Sequence, residues 1–279
     1  CFNAPLAAHL TTELADGGSI RVSTFHQLCT ATSRDAGLPT RGNGPEWWDD
    51  ILPRQLEASA EKIGLTFDAV VVDEGQDFAP DWWVTLQLLL ADPDESPFYV
   101  FADTQQAIYR TGWAPPFDGP SFELFINCRN TLPIARRVAA VFGSELPARG
   151  VEGPEAVWHQ IDGFGEIGEA FRKSIHAVVK VHGVPPSDVA VLSNSRAVVD
   201  LLGQRRIGNL TLGPIGQADL VAETIHRFKG LEAPAVVLIV DPTVPIDPAL
   251  LYIGSSRARA YLHVIADSSA ASMLGWERS

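Results

Sequence analysis

Runs of four or five consecutive apolar residues, rich in β-branched side chains, constrain this chain more than any other feature. Ala69-Val70-Val71-Val72 runs directly into Asp73-Glu74, and Phe98-Tyr99-Val100-Phe101-Ala102 runs into Asp103. Continuous rather than alternating apolar runs suit strands buried on both faces of a parallel sheet. Further strands are expected over Ile20–Thr24, Phe122–Ile126, Ala156–Ile161, Val189–Leu192, Val221–Thr224, Val236–Val240 and Tyr261–Ala266. Helical spacing is expected over Pro80–Leu90, Leu132–Phe142, Phe164–His182, Arg196–Leu202 and Pro248–Ala258. Strands alternating with helices imply an α/β fold with parallel sheets. Gly37–Pro45 and Gly112–Pro120 read as loops, and the Gly- and Pro-rich stretch Gly143–Pro154 reads as a boundary. Two domains are therefore expected, 1–145 and 146–279. There is no internal repeat.

Composition narrows the classes. With 279 residues, 46% hydrophobic and 20% charged, the chain has material for one large or two modest cores. No apolar run is long enough to span a bilayer, so no membrane partner is expected. Cys1, Cys29 and Cys128 are odd in number and contain no CxxC pair. That argues against a disulfide framework or zinc site, and for a cytoplasmic protein. The net charge of −13 argues against a globally basic nucleic-acid binder. It leaves open a local groove that grips single strands by stacking and backbone contacts.

Two segments carry the chemistry. In Val72-Asp73-Glu74-Gly75-Gln76-Asp77 a strand ends in adjacent carboxylates. An Asp there can hold Mg²⁺ through water, and the next Glu can polarise an attacking water. The plain structural alternative is a helix N-cap with an acidic first turn leading to Pro80. In Asp103-Thr104-Gln105-Gln106-Ala107-Ile108-Tyr109 a second strand ends in amides at the edge where α/β sheets bind ligands. Tyr109 and Trp113 can stack on bases or simply pack.

Read in order, these and five other segments resemble the UvrD/Rep type of superfamily 1 DNA helicases, from motif Ia to motif VI. Cys1–Ala7 resembles motif Ia, and Ser23-Thr24-Phe25-His26-Gln27-Leu28 the TFHxL motif that contacts DNA. Asp73–Asp77 resembles motif II and Ala102–Tyr109 motif III. Asn127-Cys128-Arg129-Asn130-Thr131 resembles motif IV, Thr224–Glu232 motif V and Leu251–Arg259 motif VI. The resemblance covers nearly the whole chain. It implies two RecA-like domains of P-loop NTPase type, 1A over 1–145 and 2A over 146–279. It also implies a helicase or translocase that uses ATP and Mg²⁺ and moves 3′ to 5′ on single-stranded DNA.

By the same resemblance Asp73 holds Mg²⁺, Glu74 is the base, and Gln106 senses the γ-phosphate. Arg129 and Arg257 act as arginine fingers, which suits a charged, bidentate guanidinium. Glu232 accepts from ribose hydroxyls, and Gly230 permits a tight turn beside it. Phe2, Asn3, Phe25, His26, Tyr109, Trp113, Thr224 and His226 line the single-strand path.

The sequence departs from the family in one major respect. GxxxxGK[ST], the Walker A loop, is absent, and none of Lys62, Lys173, Lys180 and Lys229 follows a glycine. In the family that loop lies just upstream of motif Ia. The expectation is an upstream segment that carries it, a first domain incomplete at its N-terminus, and a fragment inactive alone. Milder departures are Ala102, Thr104, Cys128 and Ser256. Short intervals between motifs imply reduced accessory subdomains. Two other readings stand beside the motor: a non-catalytic helicase-like scaffold or nucleic-acid-binding module, and a metal-dependent nuclease built on Asp73, Glu74, Asp77 and Asp103. Carboxylates without a His or Lys partner disfavour the nuclease.

Overall fold

The computed structural model describes residues 1–109, 113–114, 119–143, 149–204 and 206–276. It divides into two compact units, Cys1–Pro120 and Ser121–Ser279. Both are mixed α/β, and the sheets are parallel in all but one pairing.

The first unit begins with three helices that the strand pattern did not announce. Helix α1 (Ala4–Glu13) carries Pro5 in its first turn, where a missing N–H costs nothing. Ile20–Thr24 is not a strand. Thr24 is instead the N-cap of α2 (Phe25–Asp35): its hydroxyl accepts from Gln27 N, and Gln27 Oε1 accepts from Thr24 N. This reciprocal box takes a β-branched segment out of the sheet inventory. Helix α3 (Leu52–Ile63) stops at Gly64, which adopts a left-handed φ of 67°. Strand β1 (Val70–Val72) leads through a turn to α4 (Pro80–Gln87) and then to β2 (Phe98–Val100), which pairs with β1 in parallel. Phe25, Cys29, Leu52, Leu56, Phe78, Trp82 and Leu86 form the core beneath. Burial pushes the Cys29 thiol up to about 12, so it stays protonated there.

The second unit begins before α5 (Leu132–Ala140), which corrects the expected division. The boundary falls between 120 and 121, not at 145, a position outside the described residues. The reason is the docking of the segment ahead of α5. Asn130 Nδ2 donates to the carbonyls of Ser256 and Ala258, and Thr131 N donates to Arg259 O. The Arg129 segment therefore belongs with the later residues. Phe122–Ile126, expected as a strand, joins no ladder; Phe122 and Leu124 are 86% and 89% exposed. Part of the expected Gly112–Pro120 loop lies outside the described residues.

Next come β3 (Val157–Gln160), α6 (Ile167–Ile175) with a wider turn over His176–Val181, β4 (Val189–Ser193) and α7 (Arg196–Gly203). The hairpin β5 (Arg206–Ile207) and β6 (Leu210–Gly213) precedes β7 (Leu220–Thr224), α8 (Ile225–Phe228) and β8 (Ala233–Ile239). Helix α9 (Pro248–Ser256), β9 (Ala258–Ala266) and α10 (Ser268–Met273) complete the unit. Among the described residues the sheet order is β3-β9-β8-β4-β7-β6-β5, with only β5–β6 antiparallel. Central β4 is buried at every position, as a strand covered on both faces must be. Among the described residues no helix is long and apolar enough to cross a membrane.

A half-buried histidine packed on a buried one makes this unit acid-sensitive. His159 Nε2 and His263 Nδ1 lie 3.3 Å apart on neighbouring strands. Burial, with His159 and His182 nearby, pushes His263 down to about 4. The folded value is below the unfolded one, so this stability is complete above about 6.5 and is lost as pH falls towards 4. Unfolding free energy is expected to drop by about 2 kcal/mol from this site between pH 7.5 and 5. Denaturant titrations across that range check it: His263→Gln flattens the profile, and an unchanged profile in the variant refutes the assignment.

Candidate functional site

In the first unit the side chains expected to carry chemistry gather where β1 and β2 end. After Val72 the chain reverses at Glu74, whose φ of 58° and ψ of 44° make it the one non-glycine residue at positive φ among those described. Holding an L-residue there costs about 1 kcal/mol, and such strain concentrates at functional turns. The reversal brings Gly75 N to Phe101 O at 2.8 Å, which joins the motif to the end of β2. A β-carbon at position 75 would meet Val100 Cγ1 at 2.6 Å, so the close approach requires glycine.

Gln76 links the two segments. It is fully buried; its Nε2 donates to Glu74 Oε2 at 2.6 Å, and its Oε1 accepts from Asp103 N at 3.0 Å. Gln106 Nε2 donates to Asp103 Oδ2 at 2.7 Å, and Glu74 N to Asp73 Oδ1 at 2.9 Å. Asp73, Glu74 and Gln106 are therefore brought into one network. Gln76, which stands in the Asp73–Asp77 motif but was given no role of its own, fixes the orientation of the Glu74 carboxylate. Among the described residues no group of three His, Cys, Asp or Glu side chains could hold a metal ion alone.

Beside this network stands an aromatic cluster. Phe2 lies 5.0 Å from Tyr109, 6.0 Å from His26 and 6.4 Å from Trp82, measured between ring centroids. Trp82 is the hub, fully buried, stacked on Phe25 at 4.4 Å and edge-on to His26 at 5.0 Å. Four expected strand-path residues, Phe2, Phe25, His26 and Tyr109, thus meet around a tryptophan the motif reading left out. Phe25 is 3% exposed, so its ring supports the cluster from beneath rather than lining a surface. Tyr109 is 42% exposed; desolvation and the carboxylates of Asp77 and Glu74 push its phenol up to about 12. Asn3 is the N-cap residue of α1. Trp113 is half-buried, with its indole N–H enclosed and without a partner among the described residues.

The other expected residues lie in the second unit. Gly230 has φ of 82°, the left-handed turn expected of it. Thr224 is the N-cap residue of α8, and His226 follows on that helix, held below its ordinary pKa by burial against the opposing pull of Asp247. Arg129 is exposed and pairs with Glu232, Nε to Oε2 at 3.0 Å. Arg257 is 2% exposed. Its guanidinium donates to Ile253 O, Leu231 O and Ser256 Oγ, so it ties the turn after α8 to the end of α9. Lys229 is buried as well, unforeseen in the sequence. A hollow of about 430 Å³ between α7 and β6–β7 is lined by none of the expected residues; Glu223, next to Thr224, borders it.

Residues 219–265, spanning β7 to β9, match the family model described as the UvrD-like helicase C-terminal domain. The matched stretch holds both Thr224–Glu232 and Leu251–Arg259. No curated protein matches the chain. Among solved structures, the C-terminal domain of a possible DNA helicase from Lactobacillus plantarum WCFS1 is similar, at 18% identity and a TM-score of 0.39 over 53% of this chain and 92% of that one. The PRRSV helicase is similar at 12% identity and a TM-score of 0.41, over 71% of this chain and 34% of that one. The Arterivirus nonstructural protein 10 helicase, solved with DNA, is similar at 16% identity and a TM-score of 0.41, over 76% and 43%. The chain thus spans less than half of either viral helicase, and it carries helicase C-terminal similarity over a part of its length.

Proposed function

We propose that the chain forms two RecA-like halves of an ATP-dependent DNA helicase or single-strand translocase, moving 3′ to 5′. The observation that carries this reading is the network at the ends of β1 and β2. There a strained Glu74 is oriented by Gln76, beside Asp73 and Gln106. A scaffold has no use for a carboxylate held at that conformational cost.

The donor set fits Mg²⁺ held with a nucleotide rather than a protein cage, because Mg²⁺ takes one or two carboxylates and completes its shell with water and phosphates. Asp73 would hold the ion, which when bound neutralises charge on the phosphates. Glu74 would accept the proton of the attacking water, and Gln106 would report the γ-phosphate. Arg129 and Arg257 would offset charge developing in phosphoryl transfer; Arg257 would first have to leave its backbone carbonyls. Glu232 would receive the ribose hydroxyls. Phe2, His26 and Tyr109, supported by Trp82, would stack on bases of single-stranded DNA, with Asn3, Trp113, Thr224 and His226 contributing to the path.

The chain has no Walker A loop, so the phosphate cradle would come from an upstream segment. One face of the two-stranded sheet supports this: Val71, Tyr99 and Phe101 are 62%, 59% and 53% exposed on alternate positions, an apolar surface that a further element would cover. The scaffold reading draws on the missing loop and the buried Arg257. ATP hydrolysis by the full-length protein, with and without single-stranded DNA, separates the two. Stimulation of tenfold or more is expected of the motor; no hydrolysis in either condition leaves the scaffold.

A further inference from the structure

Glu232 is held by two guanidiniums, not one. Arg129 Nε lies 3.0 Å from its Oε2, and Arg259 Nε lies 3.6 Å from its Oε1. Independent features of the backbone bring the three together. Asn130 and Thr131 tie the Arg129 segment to the start of β9 through Ser256, Ala258 and Arg259 carbonyls. The β8–β9 ladder slips beside Glu232: Ala233 pairs with Ala258 but Ala235 pairs with Tyr261, so Pro234 alone faces both Arg259 and Ala260. Proline has no N–H for a ladder bond, and the extra residue on β9 is a bulge of the kind that re-aims a side chain. Arg259 lies within this irregularity, beside Glu232. Arg129, Arg149 and Arg259 also line one hollow of about 330 Å³, with Pro234 and Gly150.

The proposed function sends Arg129 and Glu232 to different parts of a nucleotide, the phosphate chain and the ribose, yet here they pair with each other. A triphosphate competes with Glu232 for Arg129. A carboxylate left alone beside a polyanion is repelled towards solvent, and its hydrogen bonds to ribose hydroxyls are lost. We propose that Arg259 is a positioning residue that retains Glu232 when Arg129 turns to phosphate, and so sustains discrimination for the ribose hydroxyls. This inference rests on the nucleotide reading above. Both pairs are about half exposed, so the effect is modest, about three- to fivefold in affinity.

The test is equilibrium binding of ATP and of 2′,3′-dideoxy-ATP to the full-length protein and to its Arg259→Ala, Arg259→Lys and Glu232→Ala variants. The expected result is a preference for ATP that Arg259→Ala narrows about three- to fivefold by weakening ATP alone, that Arg259→Lys largely restores, and that Glu232→Ala, which leaves no acceptor for the ribose hydroxyls, removes. If Glu232→Ala removes the preference and Arg259→Ala leaves it intact, the positioning role is overturned and the nucleotide reading survives. Equal weakening of both nucleotides by Arg259→Ala also overturns it, because Arg259 then serves the phosphates directly. A preference that neither variant changes, or that the unaltered protein lacks, overturns the proposal together with the role of Glu232.

Discussion

Replacing Glu74 by Gln is expected to lower the DNA-stimulated kcat for ATP hydrolysis by about 10³-fold, with KM for ATP changed by less than about threefold. A positioned general base contributes about 10²–10⁴-fold, and an amide of the same shape cannot take a proton. The geometry limits side effects. Gln76 Nε2 now donates to Glu74 Oε2, and an amide oxygen at that position can still accept from it. The left-handed turn is equally costly for Glu and Gln, so stability should stay within about 0.5 kcal/mol. Glu74→Gly makes the complementary point. It abolishes hydrolysis to the same degree, yet unfolding free energy does not rise: relief of the φ of 58° gains about 1 kcal/mol, and the amide left unpaired on buried Gln76 costs about 1–3 kcal/mol. Steady-state rates and denaturant titrations on the same variants check both halves. A Glu74→Gln protein that keeps more than about a tenth of its kcat sinks the assignment of the base.

The largest effect on stability is expected from Trp82→Ala, a loss of about 3–5 kcal/mol from the first unit. The indole is fully buried, stacks on Phe25 at 4.4 Å, meets His26 and Phe78 edge-on, and donates from Nε1 to Asp49 O at 3.2 Å. Truncation leaves a ring-sized cavity and deprives a carbonyl of its donor. Trp82→Phe keeps most of the apolar volume and is expected to cost about 1–2 kcal/mol. Urea unfolding followed by near-ultraviolet circular dichroism measures the difference. A loss below about 1 kcal/mol for the alanine variant would show that the aromatic cluster holds its shape without its hub. Trp82 touches His26 and Phe2 directly, so Trp82→Phe should also weaken single-stranded DNA binding, through the two rings it supports.

What the amino-acid order determined by itself is local. Val70–Val72 and Val236–Ile239 are strands because each run is β-branched or aliphatic throughout, a property read from neighbours; Val236–Ile239 is buried on both faces, whereas Val71 of the first run is 62% exposed. The acids that end β1, the amides that end β2, and the glycine at position 230 were legible for the same reason. Mixed α/β architecture with parallel sheets followed from their alternation. Tertiary structure decided everything that depends on partners far along the chain. Ile20–Thr24 has strand-like residues, yet Thr24 is claimed by a capping box and its neighbours by no sheet. Phe122–Ile126 looks like a strand but finds no ladder, and the unit boundary moves ahead of it because Asn130 bonds to residues 126 and 128 positions away. Gln76 acquires its role from Asp103, 27 residues on. Arg257 and Arg129 are the same residue type in motifs of similar promise. One is buried against backbone carbonyls and the other is exposed on a carboxylate, because only the packing of α9 and the bulge at Pro234 determine which groups surround each guanidinium.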